Sequence, residues 1–166
     1  MNETANPSAS HKLLIREARL NDLDCIVRMV NAGGPDGKER AELPDKLPPA
    51  YANTFKKIES DSNQKLMVAE LNAQLVGTFQ LTYIYYLAGR GRPDAQIEAI
   101  HVREKNRGTG IGSALLQWVI TEAKLMKCRR LQLTTDKQRT RAHAIYLRAG
   151  FKFTHEGAKL YLPEPL

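Results

Sequence analysis

The segment from Glu98 to Gly112 constrains the fold most, because its pattern predicts a strand that runs through a glycine-rich turn into a helix. Gly108, Gly110 and Gly112 stand at alternate positions, and the amphipathic run 113–127 follows them. The first N–H groups of a helix have no intrahelical acceptor and therefore bind anions. Glycines let a ligand approach such a backbone without Cβ atoms in the way. The segment therefore predicts a phosphate-binding unit.

Two common nucleotide-binding motifs do not fit this unit. A P-loop requires G-x-x-x-x-G-K-[ST], and the sequence contains no such string. The dinucleotide-binding fingerprint G-x-G-x-x-G requires a third glycine where this chain has Ser113. It also expects an acidic residue about 20 residues further on, where Arg129 and Arg130 stand. The spacing therefore points to another kind of phosphorylated ligand.

The pattern R-x-x-G-x-G, which runs from Arg107 to Gly112, resembles motif A of the GNAT superfamily of acyl-CoA N-acyltransferases. A second stretch, 142–151, reads A-H-A-I-Y-L-R-A-G-F and resembles the A-x-x-x-Y-x-x-x-G-F segment of the same superfamily. The two motifs stand in the expected order and at the expected separation. The similar region covers about Lys65 to Leu162, with a weaker match in the N-terminal strand and helix.

Hydrophobic periodicity and breaker residues predict the element order β-α-α-β-β-β-α-β-α-β-β. With the resemblance, this order implies an α+β domain, the GNAT fold: a mixed, mostly antiparallel central sheet of about six or seven strands flanked by about four helices. The resemblance also implies that the sheet is splayed at the strand that binds acyl-CoA. Two short strands, Phe151–Glu156 and Lys159–Leu162, are expected to end it.

The length of 166 residues predicts a single domain, 12–166, which the resemblance implies to be an N-acetyltransferase domain. The polar residues 1–11 are expected to form a flexible N-terminal tail. No apolar run approaches the roughly 20 residues that span a bilayer, and the tail lacks the apolar core of a signal peptide. Cys25 and Cys128 are too few for a disulfide framework. We therefore expect a cytoplasmic protein with reduced thiols and no membrane partner.

The net charge of +7 lies in one half of the chain. Residues 1–96 contain 12 basic and 12 acidic side chains, whereas residues 97–166 contain 13 basic and 6 acidic ones. The phosphates of coenzyme A account for part of this excess. A solvated basic face or a nucleic-acid surface would also suit it, although one basic half is weak support for nucleic-acid binding.

Acetyl transfer to an amine requires a base, an oxyanion donor and a proton donor for the departing thiolate. Glu98 is the candidate base, acting directly or through a water, because it lies on the strand that leads to the glycine turn. The alternative is a structural glutamate paired, for instance, with Arg139. A backbone N–H within Ala99–Val102 is the candidate oxyanion donor, freed by the β-bulge that the resemblance implies.

Tyr146 is the candidate acid, because the resemblance implies that the tyrosine at this position points at the sulfur of coenzyme A. The alternative is a core tyrosine whose hydroxyl is hydrogen-bonded. Many family members carry asparagine seven residues earlier, where this chain has Arg139. Arg139 could bind a phosphate of coenzyme A or an anionic part of the acceptor, or it could point outward. His143 could act near the acceptor or only contact the sheet, and Asp136 is expected to form a turn or cap.

The coenzyme-binding residues extend along the strand, the turn and the last helix. The resemblance implies the following set: Ile100, His101, Val102, Arg107, Gly108, Thr109, Gly110, Ile111, Gly112, Ser113, Thr135, Arg139 and Ala142.

These residues predict an acetyl-CoA-dependent N-acetyltransferase that moves the acetyl group directly to a primary amine of a small molecule. The alternatives are acetylation of a protein or peptide amine, and a non-catalytic module that binds coenzyme A or nucleic acid. The acceptor is expected to be set by two loops, Ala32–Pro49 and Leu87–Ala95. No metal is expected, and the resemblance implies a homodimer.

Overall fold

The computed structural model describes residues 12–32 and 43–162. The predicted tail, 1–11, lies outside these residues, and so does most of the predicted loop Ala32–Pro49.

The described residues contain five strands and four α-helices, in the order predicted up to the last helix. None of these helices is long and apolar enough to cross a membrane. The strands are β1 (Leu14–Glu17), β2 (Gln64–Leu71), β3 (Gln74–Ile84), β4 (Asp94–Val102) and β5 (Leu131–Leu133), and the helices are α1 (Leu23–Asn31), α2 (Pro49–Ser60), α3 (Ile111–Leu125) and α4 (Thr140–Arg148).

The strands form one mixed sheet in the order β1-β2-β3-β4-β5. Neighbouring strands are antiparallel from β1 to β4, and β5 runs parallel to β4. The β2–β3 hairpin turns at Asn72 and Ala73, whose φ angles of 53° and 58° are those of a tight primed turn. The chain crosses from β4 to the parallel β5 through α3, as a parallel pair requires.

The expectation of six or seven strands is wrong for the described residues, because the two predicted C-terminal strands are not formed. Residues 151–162 belong to no strand, and every side chain after Phe151 is exposed. A strand needs a neighbour for its backbone N–H and C=O groups. The strand that would receive it, β5, is only three residues long. Exposed apolar side chains remain on this segment: Phe153, Leu160, Tyr161 and Leu162.

The sheet is covered on both faces. Side chains of β3 and β4 such as Phe79 and Ile97 pack with Leu115 and Val119 of α3 in the main core, which Tyr146 of α4 completes. Alternate residues of a strand point to opposite faces. On the other face, buried side chains of α1 and α2 cover part of the sheet next to Val68: Ile26, Val27, Met29 and Phe55.

A buried carboxylate joins the start of β4 to the start of β5. The side chain of Asp94 is fully buried, and it accepts hydrogen bonds from Arg129 Nε and Nη2, at 3.0 and 2.8 Å, and from Arg130 Nε at 2.8 Å. These charge-assisted bonds hold the pKa of Asp94 below its usual value, against the effect of burial. The next residue, Ala95, donates its N–H to the carbonyl of Arg130. The ion pairs therefore lie where the pairing of β4 with β5 begins.

We predict that Asp94→Asn lowers the free energy of unfolding by about 2 kcal/mol at neutral pH, as measured by urea denaturation. This is less than the loss expected for a fully buried pair, because both arginines are partly exposed. A group whose folded pKa is depressed stabilises the fold above its unfolded pKa, about 3.9. The difference between variant and wild type should therefore shrink as the pH falls through the folded pKa.

The matched control is Asp24→Asn, which removes an exposed ion pair with Arg28 and should have a much smaller effect. Equal effects of the two substitutions, or a difference that does not decrease at low pH, would contradict the role of Asp94.

Candidate active site

A β-bulge interrupts the pairing of β4 with β3. Glu98 lies opposite Gln80 and His101 lies opposite Thr78, so β4 has one residue more than β3 in the interval. Ala99 takes up this extra residue with a φ of 48°, in the left-handed region that non-glycine residues rarely occupy. The expected bulge is present, and it redirects the second half of β4.

The same stretch of β4 separates from β5. The parallel pairing joins only Ala95, Gln96 and Ile97 to Leu131, Gln132 and Leu133. Beyond Ile97, β4 has no strand partner on that side within the described ranges. Its backbone can therefore form hydrogen bonds with an extended ligand placed between the two strands.

The glycine turn connects the end of β4 to the N-terminus of α3. Gly108 and Gly110 have φ angles of 80° and 88°, and a Cβ atom on either would meet no other atom within 4 Å. Gly110 is the N-cap of α3, and no side chain caps the helix. The first intrahelical bond runs from Ala114 N to Gly110 O. The preceding N–H groups therefore have no intrahelical acceptor, and the helix dipole favours an anion at this end.

Two contacts support the turn. Arg107, although exposed, donates from Nε to the carbonyl of Val102 at 3.2 Å, which keeps its guanidinium beside the end of β4. Thr109 Oγ1 donates to the carbonyl of Asn106 at 2.7 Å. Asn106 Oδ1 is buried and has no hydrogen-bond partner in the described part of the chain. The turn therefore combines a positive charge with N–H groups and an unused acceptor.

Tyr146 of α4 lies in the main core, in the same cluster as Ile111 at the start of α3. It is buried, and its ring contacts Phe151 edge-on with 5.9 Å between centroids. The N–H of Phe151 also bonds to the carbonyl of Tyr146 at 3.0 Å. Its hydroxyl forms no hydrogen bond within residues 12–32 and 43–162, unlike a core tyrosine with a fixed partner. Burial raises the pKa of Tyr146, and the nearby charge of Arg139 partly opposes the increase. The side chain is therefore a neutral phenol at neutral pH.

Glu98 is exposed on the face of β4 opposite the main core. Its Oε1 accepts a hydrogen bond from Gln96 Nε2, two residues earlier on the same face. Within the described ranges Glu98 belongs to no ion pair, so the structural alternative with Arg139 is not observed. Its carboxylate is therefore accessible to a ligand.

The loop between β5 and α4 is held by contacts of His143 and Asp136. His143 Nε2 lies 2.8 Å from the carbonyl oxygen of Asp136, and its ring lies 4.8 Å from that of Phe153. Asp136 Oδ1 accepts the N–H of Gln138 at 2.8 Å, which is the turn role expected for it. His143 thus braces the loop before α4. Thr135, Arg139 and Ala142 are half-buried along this loop and helix.

A row of glutamine side chains beside Glu98 was missed by sequence reasoning. Gln80 and Gln96 alternate with buried apolar residues on their strands, and Gln64 and Gln132 lie on the outer neighbours. Amide side chains at strand positions that face the interior of a domain are unusual, and this pattern in the sequence could have identified these glutamines. No group of three or more His, Cys, Asp or Glu side chains suited to a metal occurs within the described residues.

Comparisons with known proteins support the resemblance on which the sequence interpretation rested. The model of the family described as "Acetyltransferase (GNAT) family" matches residues 36–151. An aminoalkylphosphonate N-acetyltransferase from Salmonella typhimurium is 31% identical over 106 residues, which span 64% of this chain and 68% of that protein.

Two solved structures are similar over nearly their whole length. One, described as a transcriptional regulator from Bacillus halodurans, is 39% identical with a TM-score of 0.82, covering 91% of this chain and 100% of that chain. The other, a putative acetyltransferase from Agrobacterium tumefaciens, is 26% identical with a TM-score of 0.78, covering 90% of this chain and 99% of that chain.

Proposed function

Since this chain belongs to the acetyltransferase (GNAT) family and is an acyltransferase, we propose that it transfers an acetyl group from acetyl-CoA directly to a primary amine of a small molecule. One observation carries the proposal: the edge of β4 that has no strand partner within the described ranges continues, through an open glycine turn, into an uncapped helix N-terminus. Coenzyme A has an extended arm followed by a pyrophosphate, and these two parts match the strand edge and the helix N-terminus in that order.

In this proposal the pyrophosphate binds the turn from Arg107 to Ser113, and the pantetheine arm pairs with β4 from Ile100 to Val102. The open space over Gly108 and Gly110 fits the phosphates, since a Cβ atom would occupy that space. Thr135, Arg139 and Ala142 line the far side of the arm. The positive charge of Arg139 beside Tyr146 favours a role at the cofactor over an outward position.

The amine nitrogen attacks the thioester carbonyl carbon, and the carbon–sulfur bond then breaks. Glu98 takes the proton of the amine, directly or through a water, because an amine with a pKa near 10.4 is almost fully protonated at neutral pH. N–H groups freed by the bulge stabilise the oxyanion. The Tyr146 hydroxyl donates a hydrogen bond, and then a proton, to the sulfur of the departing coenzyme A thiolate. The raised pKa of Tyr146 keeps the hydroxyl protonated for this step.

The acceptor is proposed to be a small molecule, as the name of the Salmonella relative supports. An aminoalkylphosphonate is one candidate, and a protein or peptide amine is the runner-up. A regulatory module without catalysis is the alternative from another class, supported by the description of the Bacillus structure. The accessible carboxylate of Glu98 favours catalysis, and so does the hydroxyl of Tyr146, which has no hydrogen-bond partner among the described residues. We also propose a homodimer, since Leu160, Tyr161 and Leu162 are exposed apolar side chains.

We predict that coenzyme A at 100 times its Kd stabilises the wild type by about 2.7 kcal/mol, and that Gly110→Ala removes most of this effect. The new Cβ would enter the phosphate space, and alanine is strained at a φ of 88°. Gly91→Ala is the matched control, because Gly91 also has a positive φ and open surroundings but lies in the loop before β4. Thermal unfolding with and without coenzyme A measures both. An equal loss of the ligand effect in the control would contradict the phosphate site.

We predict that Tyr146→Phe lowers kcat about 100-fold, because it removes the donor to the departing thiolate, while the Kd for acetyl-CoA changes little. Tyr83→Phe is the control, since it removes another buried hydroxyl, bonded to Glu122 at 3.3 Å, outside the site. Thiol release and calorimetric titration give the two quantities. A parallel loss of turnover and affinity would indicate that Tyr146 acts in packing only.

We predict that Glu98→Gln lowers kcat/KM most at the acidic end of the range from about pH 6 to about pH 9. At higher pH more of the acceptor amine is already neutral, so the base matters less. Glu59→Gln, on the exposed side of α2, should leave the profile unchanged. A ratio of variant to wild type that stays constant across the range would refute the role of Glu98 as a base.

A further inference from the structure

The sheet face that carries Glu98 also carries one glutamine on each of four adjacent strands. We call Gln64, Gln80, Gln96 and Gln132 the amide row. Gln80 Nε2 donates to Gln64 Oε1 at 2.6 Å, and Gln132 Nε2 donates to Gln96 Oε1 at 2.9 Å. Gln96 Nε2 in turn donates to Glu98 Oε1. Gln80 is the cross-strand neighbour of Glu98. The row therefore runs across the sheet on both sides of the carboxylate.

The amide row retains hydrogen-bonding capacity. Each glutamine offers two N–H donors and a carbonyl oxygen. The carbonyl oxygens of Gln80 and Gln132 accept no hydrogen bond from the described residues, and each of these amides uses only one N–H in the contacts above. All four side chains are half-buried rather than sealed in the core. The row can therefore both donate to and accept from a ligand.

The row itself is uncharged, and the charged side chains hydrogen-bonded to it among the described residues are both acidic: Glu98, at Gln96, and Asp61, at Gln64. No lysine or arginine belongs to it, and none is hydrogen-bonded to it within the described part of the chain. Phosphonate and carboxylate groups are bound most strongly by charged donors, above all arginine. Hydroxyl groups, which both donate and accept, instead match neutral amides. The carboxylate of Glu98 suits the ammonium group of an incoming amine.

From this arrangement we propose that the amide row is the acceptor subsite and that the acceptor is a polyhydroxylated primary amine, such as an amino sugar or an amino polyol. The amine lies at Glu98, next to the bulge, and the hydroxyl groups lie across Gln80 on one side and Gln96 and Gln132 on the other. This inference rests on the proposed acetyl transfer and specifies its acceptor.

The test compares amines that differ in their hydroxyl groups. Thiol release from acetyl-CoA gives kcat/KM for glucosamine and cyclohexylamine, which share a six-membered ring, and for glucamine and hexylamine, which share an open chain. The variants Gln80→Met and Gln132→Met keep the length of the side chain but remove its amide. Comparing each variant with wild type on the same amine cancels the different pKa values of the amines.

Each row variant should lower kcat/KM about fivefold to tenfold for the hydroxylated amines, the effect of one lost hydrogen bond. The same variants should leave the alkylamines within about twofold. Gln117→Met on the exposed side of α3 is the matched control and should change neither class. Equal losses for both classes of amine would mean that the row is structural, and would overturn the proposal.

The wild-type panel separates this inference from the proposed function. Thiol release only with the alkylamines, or faster release with 2-aminoethylphosphonate than with any hydroxylated amine, would keep the acetyltransferase function and overturn the acceptor class. With no thiol release from any amine, both proposals would fail. A preference for a hydroxylated amine that the row variants abolish would support both.

Discussion

The site depends on how β4 is held by its two neighbours. Next to β3, the extra residue at Ala99 redirects the strand. Next to β5, pairing ends after Ile97, and the second half of β4 has no further strand on that side in the part of the chain that the structure describes. The ion pairs of Asp94 with Arg129 and Arg130 secure the first half, where the two strands do pair. β4 is therefore joined firmly to β5 at its beginning and separates from it afterwards, and the proposed chemistry follows from this separation.

The ionisable groups proposed to act beside β4 differ in environment, and their environments suit different tasks. Glu98 is exposed on a polar face, where its carboxylate can meet an ammonium group. Tyr146 lies in the core, where desolvation keeps its phenol protonated. Arg107 lies at the mouth of the glycine turn, beside N–H groups that carry the positive end of the α3 dipole. One side of the strand thus suits an anionic ligand and the other a cationic one.

Sequence reasoning was most successful where the signal is local. The order of elements up to α4 agrees with the pattern of apolar and breaker residues, and α3, at Ile111–Leu125, differs from the predicted run 113–127 by two residues at each end. The glycine turn was predicted because its spacing is specific and its positive φ angles at Gly108 and Gly110 require glycine. The C-terminal strands failed for the opposite reason. Alternation in 151–162 indicates that a strand is possible, but the sequence does not say whether a neighbouring edge is free and long enough to receive it.

By itself, therefore, the sequence determined the family, the order of elements up to α4, the glycine turn that is proposed to bind phosphate, and the two candidate groups Glu98 and Tyr146. These features depend on the spacing of residues along the chain, which the amino-acid sequence contains in full. Only the tertiary structure decided that β5 leaves β4 after three residues, that Glu98 has no ion-pair partner among the described residues, and that glutamines from four strands lie beside it. These features depend on register between strands distant in sequence, because register selects which side chains meet across a sheet.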